Sequence, residues 1–175
     1  CMETIFKPTV DALNKEGRTF KGIIFFGLML TPKGMKVIEY NARFGDPETQ
    51  VVLPRLKSDL MEIFEACVDG TLDQVNVEWE DNGTACVVLA SGGYPEKYTK
   101  GYEITGLEDA KKADNIVVFH AGTALKDGKF VTNGGRVLGI TGIGKNLDEA
   151  IKIAYEGVKL VDFKDKHFRT DIGVK

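Results

Sequence analysis

Cysteine is scarce in this chain: Cys1, Cys67 and Cys86 are an odd number, without the paired spacing of a metal site. They read as reduced thiols of a cytoplasmic protein, with Cys67 and Cys86 expected in the core. A basic excess is missing too. The formal net charge is −3, so no broad positive field recruits nucleic acid, and an anionic substrate has to be met by local groups. The longest apolar runs, such as Gly22 to Leu30, fall far short of a membrane span, and no secretory leader is visible. The sequence offers no Ser-His-Asp arrangement, zinc spacing or Walker loop. Gly142-Ile143-Gly144-Lys145 is too short for a P-loop and lacks the Ser/Thr that follows its lysine. Internal repeats and low-complexity tracts are absent.

What is present suffices for one ordinary domain, or for part of one plus a small domain: 175 residues, 43% of them hydrophobic. Met2, Phe6, Val10 and Leu13 make a helical stripe that Pro8 interrupts and Gly17 closes. Phe20 to Leu30 reads as a strand, Thr31-Pro32-Lys33-Gly34 as a turn, and Met35 to Asn41 as the returning strand. Gly45-Asp46-Pro47 then turns the chain into a helical region. There Leu53, Leu56, Leu60, Ile63, Phe64 and Cys67 repeat at helical spacing, with Ser58 expected to cap the second of two short helices and Gly70 to end it. Further on, Thr84–Leu89, Ile116–Phe119 and Arg136–Thr141 read as strands, and Asp127-Gly128 as a two-residue hairpin turn. Asn146 and Glu149 form a capping-box-like pair at the start of a helix with apolar face Leu147, Ala150, Ile151, Ala154, Val158 and Val161.

The most informative stretch is Glu39-Tyr40-Asn41-Ala42-Arg43-Phe44-Gly45-Asp46-Pro47-Glu48-Thr49-Gln50. Two residues apart on a strand, Glu39 and Asn41 share a face. Two oxygen ligands there suit a hard cation such as Mg²⁺ or Mn²⁺, which fills its shell with water and phosphate oxygens. Arg43 continues the alternation and can reach a phosphate. The plain alternatives are polar residues on a wet strand face, an Arg43 ion pair with Asp46 or Glu48, and acidic charge at a helix N-terminus for Asp46 and Glu48.

Glu-x-Asn followed by Arg-Phe-Gly-Asp-Pro-Glu-x-Gln resembles the signature of the glycinamide ribonucleotide synthetase (phosphoribosylamine–glycine ligase) family of the ATP-grasp superfamily. The resemblance continues through Ala90-Ser91-Gly92-Gly93-Tyr94-Pro95, His120-Ala121-Gly122-Thr123, Asn133-Gly134-Gly135-Arg136 and Thr170-Asp171-Ile172-Gly173. It implies ATP-dependent ligation of glycine to 5-phosphoribosylamine through a glycyl phosphate, in purine biosynthesis. It implies Mg²⁺ on Glu39 and Asn41, with ATP as co-substrate and Arg43 stabilising the transferring phosphoryl group. An amine is expected at Asp46 or Glu48, either of which could accept its proton. Many ATP-grasp enzymes take a third acidic ligand from the preceding strand, but Phe25-Phe26-Gly27-Leu28-Met29 has none. Coordination is therefore expected mostly from Glu39, Asn41, ATP phosphates and water. Lys100, Gly101, His120, Gly134, Gly135 and Arg136 are expected to help bind the phosphoribosyl substrate; on physics alone these are surface turns and, for His120, a core histidine.

The expected fold is α+β: residues 1–72 as the C-terminal part of an ATP-grasp domain (an antiparallel hairpin plus helices), and 73–175 as a small, mainly antiparallel α+β domain. The chain opens on Cys1 inside a helical stretch, and the expectation is that an N-terminal part of the same protein is missing and that this fragment alone is inactive. Another ATP-grasp carboxylate–amine ligase, a carboxylase subunit or a non-catalytic binding module are the alternatives.

Overall fold

The computed structural model describes residues 1–174. The chain forms two compact units. One holds Cys1–Gly45 and Lys57–Glu78; the other holds Asp46–Leu56 and the chain from Trp79 onward.

In the first unit a π-helical turn, Met2–Phe6, runs into α1 (Lys7–Lys15). Pro8 sits in its first turn, where a missing N–H breaks no helical bond. The Phe6 ring packs 4.5 Å from that of Phe26. Strands β1 (Phe25–Thr31) and β2 (Gly34–Asn41) make an antiparallel hairpin. The strand expected from Phe20 starts only at Phe25, because Gly22, at φ +122, takes the chain out of the extended region. The register pairs Gly27 with Glu39 but Leu28 with Val37, so Ile38 is an extra residue in β2.

The second helix of this unit, α3 (Leu60–Asp69), is capped by Asp59, not Ser58: Oδ1 of Asp59 accepts from the Met61 amide at 2.7 Å. Both residue types cap well. Ser58 is used elsewhere, its Oγ accepting from the Glu78 amide at 2.7 Å. Gly70, in the left-handed region, ends the helix as expected.

The second unit is built on an antiparallel sheet of order β4 (Ile116–His120), β7 (Arg136–Gly144), β3 (Gly83–Ser91) and β8 (Lys166–His167). Helix α5 (Leu147–Leu160) covers one face, burying Val87, Leu89, Ile140, Ala150, Ala154 and Val158 in a common core. Asn146 caps it by accepting from the Glu149 amide, and Glu149 answers by accepting from the Lys145 amide. The β5 (Thr123–Lys126) and β6 (Lys129–Thr132) hairpin turns at Asp127 and Gly128, both with positive φ, as its two-residue loop requires. Neither the short helix α4 (Leu107–Lys112) nor β8 was expected from sequence.

Alternation along the strands sends Thr84 and Thr141 to the face away from α5. Their hydroxyls donate to the carbonyls of Val51 and Gln50, at 2.7 and 2.9 Å. Segment Asp46–Leu56, with helix α2 (Thr49–Val52) and a 3₁₀ turn (Leu53–Arg55), is thereby tied to this sheet. The Asp46 motif thus starts a layer of the second unit, one residue after the chain leaves the first.

Candidate functional site

Glu39 and Asn41 stand on β2 opposite Gly27 and Phe25. A Cβ on Gly27 would come within 2.8 Å of Glu39 Cγ, so the glycine leaves the space in which the Glu39 side chain lies. The space over Gly27 is therefore filled by Glu39 itself. Glu39 is exposed and Asn41 half-buried, and neither side chain takes part in a hydrogen bond or ion pair among the described residues. An exposed carboxylate and a neighbouring amide oxygen with no protein partner fit a Mg²⁺ or Mn²⁺ that keeps several water or phosphate ligands. No group of three or more His, Cys, Asp or Glu side chains converges among the described residues.

Arg43 follows the strand; its Nη1 donates to the Phe44 carbonyl at 2.6 Å and its side chain is exposed. A cleft of about 660 Å³ in this unit is lined by Pro8, Leu13, Phe20, Ile24, Tyr40 and Ala42, among others. Tyr40 and Ala42 alternate with Glu39 and Asn41, so the cleft lies on the other face of β2. Its walls are mostly apolar, with Thr4, Thr9 and Glu16 the polar exceptions.

In the second unit the structure brings Asp46 and Arg136 together. Arg136 Nη2 lies 3.0 Å from Asp46 Oδ2, and Nη1 donates to the Asp46 carbonyl at 3.3 Å. The other oxygen, Oδ1, accepts from Gln50 Nε2 at 2.9 Å. Asp46 is therefore held by Arg136 and Gln50. A carboxylate offers more lone pairs than these contacts use, and Asp46 remains about half exposed. Glu48 occupies the N-cap position of α2 without a side-chain capping bond. Beneath this cluster, burial pushes the Cys86 thiol pKa up and the Asp46 charge adds to the rise, while a hydrogen bond with Thr141 opposes them. Cys67 and Cys86 are half-buried, short of the full burial expected.

The three glycine-rich stretches meet at the end of the sheet where β3 finishes and β7 begins. Ser91 donates through its amide to Gly135 and through its hydroxyl to Gly134, both at 2.8 Å. The Asn133 amide donates to Gly122 at 2.7 Å. A Cβ on Gly135 would lie 2.1 Å from the Tyr94 ring, so the aromatic ring lies directly on the glycine. The peptide bonds Asp46-Pro47 and Tyr94-Pro95 are both cis.

Gly101 donates to the Thr132 carbonyl at 2.7 Å, and Lys100 beside it is exposed. His120 is exposed, not a core residue; its Nδ1 lies 2.9 Å from Thr123 Oγ1 and its ring 4.6 Å from that of Phe130. Gln50 lies in the motif with no role evident from the sequence. Its only signal was its place in the motif, four residues after Asp46.

No helix among the described residues is long and apolar enough to cross a membrane. Residues 84–175 match the family model described as phosphoribosylglycinamide synthetase, C domain, and residues 1–49 match the phosphoribosylglycinamide synthetase, ATP-grasp (A) domain. A phosphoribosylamine–glycine ligase of Caldanaerobacter subterraneus subsp. tengcongensis is 53% identical over 170 residues, covering 97% of this chain and 40% of that protein. The trifunctional purine biosynthetic protein adenosine-3 of Gallus gallus is 51% identical over 174 residues, covering 99% of this chain and 17% of its own length. The crystal structure of phosphoribosylamine–glycine ligase from Thermotoga maritima superposes with a TM-score of 0.84 at 38% identity, over 98% of this chain and 42% of that one. The chain therefore spans less than half the length of these relatives.

Proposed function

Because the chain belongs to the phosphoribosylglycinamide synthetase family, we propose that it forms part of an ATP-dependent ligase joining glycine to 5-phosphoribosylamine. The products are glycinamide ribonucleotide, ADP and phosphate. The observation that carries the proposal is Glu39 lying over Gly27, with Asn41 beside it, both free of protein partners on the motif strand. We assign residues 1–72 to the tail of the ATP-grasp domain and 73–175 to the small C-terminal domain, supported by family matches at 1–49 and 84–175. The cytoplasm is the proposed location.

A free carboxylate is a poor electrophile. The carboxylate oxygen of glycine attacks the γ-phosphorus of ATP, ADP leaves, and the resulting acyl phosphate carries a good leaving group. The amine nitrogen of phosphoribosylamine then attacks the acyl carbon, phosphate departs with the bonding pair, and the nitrogen gives up a proton. Glu39 and Asn41 would hold Mg²⁺ or Mn²⁺, which when bound would neutralise phosphate charge. Arg43 lends a planar cation to the phosphoryl group in flight, a step that depends on positioning and charge more than on covalent help.

Asp46 and Glu48 face the amine. Asp46 keeps unused lone pairs, and Glu48 has no capping bond to break; either accepts an N–H or the proton. Lys100, Gly101, His120, Gly134, Gly135 and Arg136 contribute to the phosphoribosyl subsite, supported by the convergence of the glycine-rich turns on one end of the sheet. The 175-residue stretch alone is inactive.

Oxygen transfer tests the acyl phosphate. With glycine labelled by ¹⁸O in its carboxylate, the full-length protein should deliver one labelled oxygen to inorganic phosphate per turnover. Unlabelled phosphate would exclude glycyl phosphate, and label arriving from another carboxylic acid would point to a different ATP-grasp ligase.

A further inference from the structure

We infer that Gln50 is a positioning residue for the amine-substrate subsite, acting through Asp46 to aim Arg136 at the anionic group of that substrate; this rests on the ligase reading above. Gln50 Nε2 holds Oδ1 of Asp46 at 2.9 Å, and Arg136 Nη2 takes Oδ2 at 3.0 Å. Nη1 of Arg136 also reaches the Asp46 carbonyl at 3.3 Å. One residue thus grips the guanidinium along its Nη1–Nη2 edge, and the remaining N–H groups stay available to a phosphate. Terminal rotation of an Asp carboxylate is soft. The Gln50 amide removes that freedom, and with it the freedom of Arg136.

A second observation sets Gln50 apart from a space-filling residue. Its Oε1 is buried and accepts no hydrogen bond from the described residues. A buried carbonyl oxygen left in this way costs stability, and an apolar side chain of similar volume would avoid the cost. Turning the amide over would set Oε1 against the Asp46 carboxylate. The orientation is therefore dictated by Asp46. The Gln50 main chain is held separately, its carbonyl accepting from Thr141 Oγ1 at 2.9 Å, so the side chain can be changed without releasing the backbone.

The test uses the full-length protein with Gln50→Met, Arg136→Ala and the double variant, each checked by its thermal unfolding midpoint. Gln50→Glu, which keeps the shape but turns a carboxylate toward Asp46, serves if Gln50→Met fails to fold. Either Gln50 variant should raise the KM for phosphoribosylamine about tenfold and leave those for ATP and glycine within about twofold. In the Arg136→Ala background the Gln50 change should add less than it does alone, since part of its effect runs through Arg136. The ¹⁵N signals of the Arg136 guanidinium, resolved in the parent protein, should average or broaden in the variant. A rise in all three KM values, full additivity with Arg136→Ala, or unchanged guanidinium signals would overturn the assignment. If the parent protein lacks glycine-dependent turnover, the ligase reading falls, and the guanidinium signals alone decide whether Gln50 orders Arg136.

Discussion

Arg136 Nη2 lies 3.0 Å from Oδ2 of Asp46, although 90 positions separate the two residues. The pair joins the motif segment Asp46–Leu56 to the glycine-rich turn that opens β7. Both side chains are about half exposed, so the ion pair contributes modestly to stability. Its significance is geometric: it fixes the direction of a guanidinium at the end of the sheet where the other glycine-rich turns gather.

Glu39→Ala in the full-length protein should abolish Mg²⁺-dependent ADP release, lowering kcat about a hundredfold or more, because the carboxylate proposed to hold the charge-neutralising ion is gone. Glu39 is an exposed strand residue, so the unfolding midpoint should hardly move. Titrating Mg²⁺ at saturating ATP provides the check. A variant that keeps its Mg²⁺ dependence would remove Glu39 from the metal site.

Gly27→Ala should act on the same site from across the hairpin. The new Cβ would lie 2.8 Å from Glu39 Cγ, which forces the Glu39 side chain aside. The Mg²⁺ concentration for half-maximal activity should rise about tenfold, in line with the loss typical when a ligand's support is disturbed. Unchanged Mg²⁺ dependence would mean that Glu39 has room to spare.

Gly135→Ala should destabilise the second unit by about 1–3 kcal/mol, the usual range for overpacking a filled site. The added methyl would meet the Tyr94 ring at 2.1 Å and part the turn from the Ser91 loop. Urea unfolding monitored through that unit measures it. A neutral effect would show that Tyr94 can swing away.

The Cys86 thiol gives a pH prediction. Its pKa is raised in the folded protein, first by burial and then by the Asp46 charge. A raised thiol pKa means the folded state keeps a proton that the unfolded chain loses. The associated stability is complete below the ordinary thiol range of about 8.5 and declines as pH climbs through the folded value. Cys86→Ala should therefore flatten the alkaline side of the stability–pH curve. An equally steep fall in the variant would place its cause elsewhere.

Much of this was legible in the sequence because it is local. The β1–β2 hairpin, the Asp127-Gly128 turn and the Asn146–Glu149 cap each depend on residues a few positions apart. The elements that escaped had weak local signals: β8 is two residues long, and α4 follows Gly106, with no side-chain cap. Asp59 displaced Ser58 as a cap because tertiary contacts with Asn76 and Glu78 engage the serine. The residues of the candidate site stand in the sequence as a set, but their arrangement does not. An arginine next to carboxylates invites local pairing, and Arg43 was the neighbour weighed for Asp46. The partner proved to be Arg136, brought close only because Thr84 and Thr141 seat the motif segment on the sheet. The bulge at Ile38, which helps set Glu39 across from Gly27, likewise depends on a register that periodicity does not reveal.

The most direct measurement follows ADP release by the full-length protein with Mg²⁺-ATP, supplying glycine and freshly made phosphoribosylamine together and each alone. The account predicts sustained release only when both are present, with glycinamide ribonucleotide accumulating in step with ADP. Sustained release without glycine, or none from a folded protein given both, would contradict it.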